Sequence, residues 1–227
     1  MSWNERSRAK FLGRAARNER QICSAPGCNR HRYRVSRYCQ THAQRMNEFG
    51  SLKGRRIRPK EYAHEKQLVE RFLTTHREHV ATQTALRFIE AWLRAAEGPY
   101  QDKRGFVIHI PGRIHLQRLL AGGVDAWELL VEAAAVFVHT QEHGVGTDTG
   151  EQLAKTLGLC VIHMRPLDRR ASGTLKRPSG AQRREIGDYL FRTMRRFLVN
   201  ILMSLRAKKR AVIDEAAKLA EPFTLET

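Results

Sequence analysis

Four residues constrain this chain more than any others: Cys23, Cys28, Cys39 and His42, in the spacing Cys-x4-Cys-x10-Cys-x2-His. A segment of about 20 residues cannot bury a core of its own, so a metal ion has to act as the core. Zinc takes four soft or borderline ligands in a tetrahedron, and a closed Cys3His set is a structural site. Pro26-Gly27, between the first two thiols, is a turn dipeptide that folds them toward one point. Residues 33–39 (Tyr-Arg-Val-Ser-Arg-Tyr-Cys) suit a small hairpin. Cys39 and His42 then share one face of the first turn of a helix, being three residues apart. His31 follows Cys28 at the same x2 spacing and competes for the fourth place. The helix start orients His42, whereas His31 sits in an arginine-rich turn, so His42 is the expected ligand.

Charge supplies the second constraint. The chain carries 41 Lys and Arg against 23 Asp and Glu, a formal net charge of +18. It is unevenly placed: residues 1–60 hold 16 basic and 3 acidic side chains, residues 61–164 hold 10 and 13, and residues 165–227 hold 15 and 7. Arginine-rich codon usage alone would make the chain basic throughout. A slightly acidic middle between basic ends points to the ends as binding surfaces. Around the cysteines stand Arg30, Arg32, Arg34, Arg37 and Arg45, with Tyr33 and Tyr38 among them, and Lys53, Arg55, Arg56, Arg58 and Lys60 follow. Guanidinium forks match phosphate, and interleaved aromatics suit stacking, so nucleic acid is the expected partner. These residues do not by themselves separate DNA from RNA.

The run Cys23-Ser-Ala-Pro-Gly-Cys28-Asn-Arg, then Arg37-Tyr-Cys39-Gln-Thr-His42-Ala-Gln-Arg45, then a Gly-containing basic tail, resembles a known kind of module. It is similar to the small treble-clef-like zinc fingers of phage and mobile-element proteins, which often accompany HNH homing endonucleases. The resemblance covers residues 23–50 only. It implies one structural zinc per chain and a DNA-binding accessory or regulatory role, hence DNA over RNA, in the nucleoid or cytoplasm of a prokaryotic or phage-infected cell. It does not carry nuclease activity over, because no His, Asn and His pattern of a ββα-metal site follows the finger.

The remaining sequence reads as mainly α. Residues 4–21 form a basic helix with a thin apolar stripe of Trp3, Phe11, Leu12 and Ala15. Residues 40–49 form a short helix closed by Gly50, and residues 51–60 a basic linker, so that 1–60 is a zinc-finger module. The body spans 61–164. Leu68, Val69, Phe72 and Leu73, then Val80, Leu86, Ile89, Trp92 and Leu93, recur at helical spacing as one helix or two broken near His79. Residues 105–111 suggest a short strand or an extended loop. Residues 116–120 form a short helix. Asp125 is the expected N-cap of a helix over 126–142, and Thr149 that of 151–157, ended by Gly158. Residues 159–164 are apolar enough for a buried strand. Residues 165–180 read as a basic linker or mobile loop, and 181–227 as a long C-terminal helix with Ile186, Leu190, Met194, Phe197, Ile201 and Leu205 on one stripe. Its Arg192, Arg195 and Arg196 lie off that stripe, either solvated, or extending the nucleic-acid surface, with exposed parts free for a protein partner or a second copy.

Several functions have little support. No run approaches the ~20 apolar residues of a membrane span, and the polar start gives no sign of a signal peptide. With few, clustered cysteines, a reducing cytoplasm is the expected compartment. No phosphate loop or nucleophile elbow is visible. His139, Glu142 and His143 match the inverted zinc-protease pattern His-x-x-Glu-His, which makes a metal-dependent hydrolase or a diverged nuclease the competing reading. That pattern lacks its third ligand, and histidines at a helix end before Gly144 also suit the helix dipole. Cys160, within Gly-Leu-Cys-Val-Ile, reads as a core thiol.

Overall fold

The structure is a computed structural model that describes residues 3–98, 104–105, 109–110, 112–144, 150–167 and 178–219. Among these residues it is built from helices: α1 (Trp3–Glu19), α2 (Gln40–Phe49), α3 (Ala63–Thr75), α4 (Val80–Glu97), α5 (Arg113–Ala121), α6 (Ala126–His143), α7 (Gly150–Ile162) and α8 (Gly180–Leu219), with a 3-10 turn at Pro59–Tyr62 before α3. No strand forms among them; the sole β-type pairing is an isolated antiparallel bridge between Ile22 and His31. The chain is mainly α, as its periodicity predicts.

The ends of these helices follow local chemistry. His79 breaks the 68–93 pattern into two helices by capping α4, its Nδ1 accepting from Ala81 N at 3.2 Å. Asp125 caps α6, its carboxylate accepting from Glu128 N at 2.7 Å, and Gly144 closes that helix at φ 62°. Asp125→Ala is expected to cost about 1 kcal/mol through the lost cap, read as a lower urea midpoint at unchanged slope.

One core runs through α3 to α8. Leu129, Leu130, Ala134 and Val136 of α6 lie at its centre, with Val69 and Leu73 of α3, Ile89 and Trp92 of α4, Leu116 and Leu119 of α5, and Ile186, Leu190 and Leu198 of α8 around them. Ile57, ahead of the 3-10 turn, is 3% exposed and belongs to the same core. The basic stretch 51–60 is therefore anchored, with Ser51, Gly54 and Ile57 all buried. Glu61 holds it further: its carboxylate accepts from Arg58 N at 2.9 Å and pairs with Arg55 at 2.5 Å.

Two sequence expectations fail at α7. Residues 159–164 are not a strand; 159–162 are the last turn of α7 and 163–164 the turn after it. Gly158 does not end the helix. Every residue from Gln152 to Ile162 is buried, and an apolar run buried on all sides carries no periodicity to tell helix from strand. Gly158 is there for close approach, not termination. A Cβ on it would overlap the Arg183 carbonyl of α8, and a Cβ on Gly187 would overlap the Ala154 carbonyl of α7. Residue pairs 158–183 and 154–187 run in opposite directions, so α7 and α8 cross antiparallel with their backbones touching. The expected N-cap Thr149, most of the 105–111 segment and most of the 165–180 linker lie outside the described residues.

The first helix stands apart from this core. Ala, Arg, Glu and Leu give α1 good intrinsic propensity. Phe11 is 45% and Leu12 56% exposed, while Ala15 of the expected stripe is buried. Further along, α8 leaves Met203, Val212 and Ile213 exposed. No helix among the described residues is long and apolar enough to cross a membrane.

Candidate metal centre

The finger is assembled by short local bonds. Cys28 N donates to Ala25 O at 3.1 Å across Pro26-Gly27, and Gly27 takes φ 69°. That is a type II turn, whose third position needs the left-handed conformation. The strand-like bridge follows: Cys23 N donates to Arg30 O at 2.8 Å, and Arg32 N to Gln21 O at 2.9 Å. Residues 33–39 close as a tight turn and not as a hairpin with paired strands. Tyr33 N bonds Tyr38 O and Ser36 N bonds Tyr33 O, both at 2.9 Å, which leaves too few residues for a ladder. Cys39, extended at φ −64° and ψ 165°, is the N-cap of α2 and places His42 on its first turn.

These elements bring together Cys23, Cys28, Cys39 and His42, with all four ligand atoms within 4.8 Å of one another. His31 is not in the cluster; it is exposed, and its backbone belongs to the bridge with Ile22. His42 Nδ1 stands 3.4 Å from both Cys23 Sγ and Cys39 Sγ, and Cys28 Sγ is 3.9 Å from Cys39 Sγ. Tetrahedral Zn–S and Zn–N bonds would separate S from N by about 3.6 Å and S from S by about 3.8 Å. These three separations are within a few tenths of an ångström of those values, and the four groups together could hold a metal ion. Burial acts to raise the Cys23 thiol, but hydrogen bonds from the Cys39 and Ala25 backbone, with His42 and Cys28 beside it, outweigh this and hold it at about 6. At Cys28 the Arg30 backbone favours the thiolate, yet desolvation and the adjoining Cys23 and Cys39 thiols raise it. These bonds favour the thiolate at Cys23 over that at Cys28.

The arginines around the cluster divide into two kinds. Arg32 is a strut. Its guanidinium donates to Ile22 O at 3.0 Å, Ser24 Oγ at 3.0 Å, Asn18 Oδ1 at 3.3 Å and Gln21 Oε1, tying the knuckle to the end of α1. Asn18 completes this joint by donating to Arg34 O at 2.7 Å and Ser36 O at 2.5 Å. Arg30, Arg34, Arg37, Arg45, Lys53, Arg55, Arg56 and Arg58 are exposed. Arg34 lies over the ring of half-buried Tyr33 at 5.0 Å and Arg37 over that of Tyr38 at 4.9 Å, so each tyrosine supports a guanidinium whose edge stays open. On α1, Arg6, Arg8, Lys10, Arg14 and Arg17 are exposed as well.

The finger is docked to the helical body. Lys155 of α7 donates to Met46 O at 3.1 Å and Arg183 of α8 to Glu48 O at 3.3 Å. Both cations are buried and cap the C-terminal turn of α2, where the Met46 carbonyl also accepts from Gly50 N. Nothing in the local sequence signals this joint, because Lys155 and Arg183 are more than a hundred residues from their acceptors.

The His139, Glu142 and His143 motif is rearranged. Glu142 is drawn to Arg206 of α8 at 2.6 Å. The carboxylate that meets the two imidazoles is Glu65 of α3, grouped with them within 4.8 Å. Glu65 escaped sequence reading, although it interrupts the apolar stripe of Tyr62, Val69 and Leu73. Cys160 is a core thiol as expected, its pKa pushed up to about 12 by burial. Burial likewise lowers His163 to about 4. No known protein family matches the chain, and no curated protein or solved structure matches it either.

Proposed function

We propose that the chain is a nucleic-acid-binding protein whose finger, held by one structural zinc, grips the sugar–phosphate backbone. DNA duplex is the favoured partner, and an accessory or regulatory role in a phage or mobile element the favoured setting. The observation that carries the reading is the set of exposed guanidinium groups of Arg30, Arg34, Arg37 and Arg45, fixed around a cluster with metal-ligand geometry. Zinc is assigned because three thiolates and an imidazole in a tetrahedron are its preferred structural set. Exposed Arg192, Arg195 and Arg196 of α8 can extend the cationic surface.

The two kinds of arginine give the test. Replacing Arg34, Arg37 and Arg45 with Ala is expected to weaken binding about equally on all sequences. It should also make the salt slope shallower by about 0.9 for each phosphate that is no longer neutralised. Arg32→Ala acts differently, by loosening the joint between α1 and the knuckle, so it should reduce the finger's stability along with affinity. Salt titrations of each variant against several duplexes and one single strand make the comparison. Unchanged affinity and slope for the triple variant would remove nucleic acid as the partner.

A further inference from the structure

The α3–α6 interface holds a second cluster, remote in sequence from the finger. His139 and His143 are four residues apart on α6 and so share one face, with ring centroids 4.6 Å apart. Glu65 of α3 lies against both: His143 Nε2 donates to its Oε1 at 2.8 Å, and His139 Nδ1 stands 3.3 Å from the same oxygen without hydrogen-bond geometry. Two polar atoms are left over. Glu65 Oε2 is buried with no hydrogen-bond partner among the described residues, and so is His139 Nδ1. The Glu65 side chain is 9% exposed. A buried carboxylate oxygen facing no donor is costly, and such groups call for a proton, a water or an ion.

We propose that Glu65, His139 and His143 form a second metal site, one that takes a divalent transition-metal ion through two imidazoles and a carboxylate. Ligand separations in such a site are about 3.3 Å for bonds near 2.0–2.1 Å; the two imidazole nitrogens stand 3.3 and 2.8 Å from Glu65 Oε1, and all three ligand atoms lie within 4.8 Å of one another. The ion satisfies Glu65 and His139 together, which no side chain nearby does. Three protein ligands leave a further coordination position, as in catalytic rather than structural centres. Glu65 and His143 open on a groove of about 590 Å³ whose walls also carry Arg206, Lys208 and Lys209. The open position therefore suits a water or an anionic oxygen. The site is independent of the nucleic-acid reading, since it shares no residue with the finger.

The experiment uses the full chain with one zinc equivalent already in the finger, titrated with Co²⁺ and followed by visible absorption and equilibrium dialysis. Wild type is expected to take up one Co²⁺ that shows ligand-field bands without thiolate charge-transfer absorption, and to release it to a chelator before the finger's zinc. Glu65→Gln, which keeps side-chain size, and His143→Ala, at the half-exposed end of α6, should each weaken that equivalent by about tenfold or more. Both should leave the finger's zinc in place, with far-ultraviolet dichroism confirming the fold. No Co²⁺ uptake by wild type, or undiminished uptake by both variants, overturns the proposal.

Discussion

Cys39→Ser is expected to release the finger's metal and to unfold residues 21–42 while the helical body stays folded. Cys39 has two duties: its thiol completes the cluster, and its extended backbone is the N-cap from which α2 starts. The apolar contribution around it is small, with Cys23, Ala25 and Cys39 as the only buried residues of the finger's own cluster. That cannot replace structural zinc, whose binding supplies about 10–16 kcal/mol in isolated fingers. The main core is a separate cluster running from Ile57 to Leu202, so helix content should fall only slightly. Metal analysis should show the loss of one equivalent, and hydrogen exchange should show protection removed across the knuckle but kept in α6. A wild-type protein purified without metal would end the assignment. Retention of metal by the Ser variant would mean that Cys39 is not a ligand.

Gly187→Ala and Gly158→Ala test the second joint, and here two physical effects have opposite signs. Both glycines lie in helix interiors, where Ala is favoured by about 1 kcal/mol. Geometry opposes this, because each new methyl would overlap a main-chain carbonyl of the facing helix, and main chain cannot rotate aside. Overpacking of this kind costs about 1–3 kcal/mol and occasionally more. Separation of α7 from α8 would in addition open the packing of Ile186 and Leu190, which are both fully buried. The overpacking cost less the propensity gain leaves an expected net loss of up to about 2 kcal/mol for each variant, read from the denaturant midpoint. Gly13→Ala is the counterpart. It stands in exposed α1 with nothing near its Cβ position, and a gain of up to about 1 kcal/mol in local helix stability is expected there. If all three variants were stabilised, the close crossing of α7 and α8 would be wrong.

Sequence reading succeeded where a residue's role depends on near neighbours. Cys23, Cys28, Cys39 and His42 fall within twenty positions, and turn dipeptide, helix start and spacing agree in bringing them into one cluster. Asp125 and Gly144 mark the ends of α6 by local backbone chemistry alone. It failed where a role depends on what arrives from far along the chain. Gly158 looks like a helix stop until Arg183 of α8 is beside it. Glu142 looks like the partner of His139 and His143 because it lies between them, yet Arg206 draws it away and Glu65, over seventy residues earlier, takes its place. Arg32 looks like its exposed neighbours, and only the folded position of its acceptors on Asn18, Gln21, Ile22 and Ser24 makes it a half-buried strut. Residues 51–60 have the composition of a free linker, but one buried side chain, Ile57, fixes them to the core.

The attachment of α2 to the body bears on how such a protein can be assembled from parts. A finger that folds around its own metal is ordinarily portable, joined to new neighbours by recombination at any exposed segment. This one is set into its neighbour, with Lys155 and Arg183 supplying the donors for its last carbonyls. Excising the finger would take one acceptor from each of two buried cations, with Lys155 keeping its ion pair to Glu151, and grafting it elsewhere would remove their two donors from the end of α2. The two parts are therefore constrained to change together, and the direction in which the finger presents its arginines is inherited from the body.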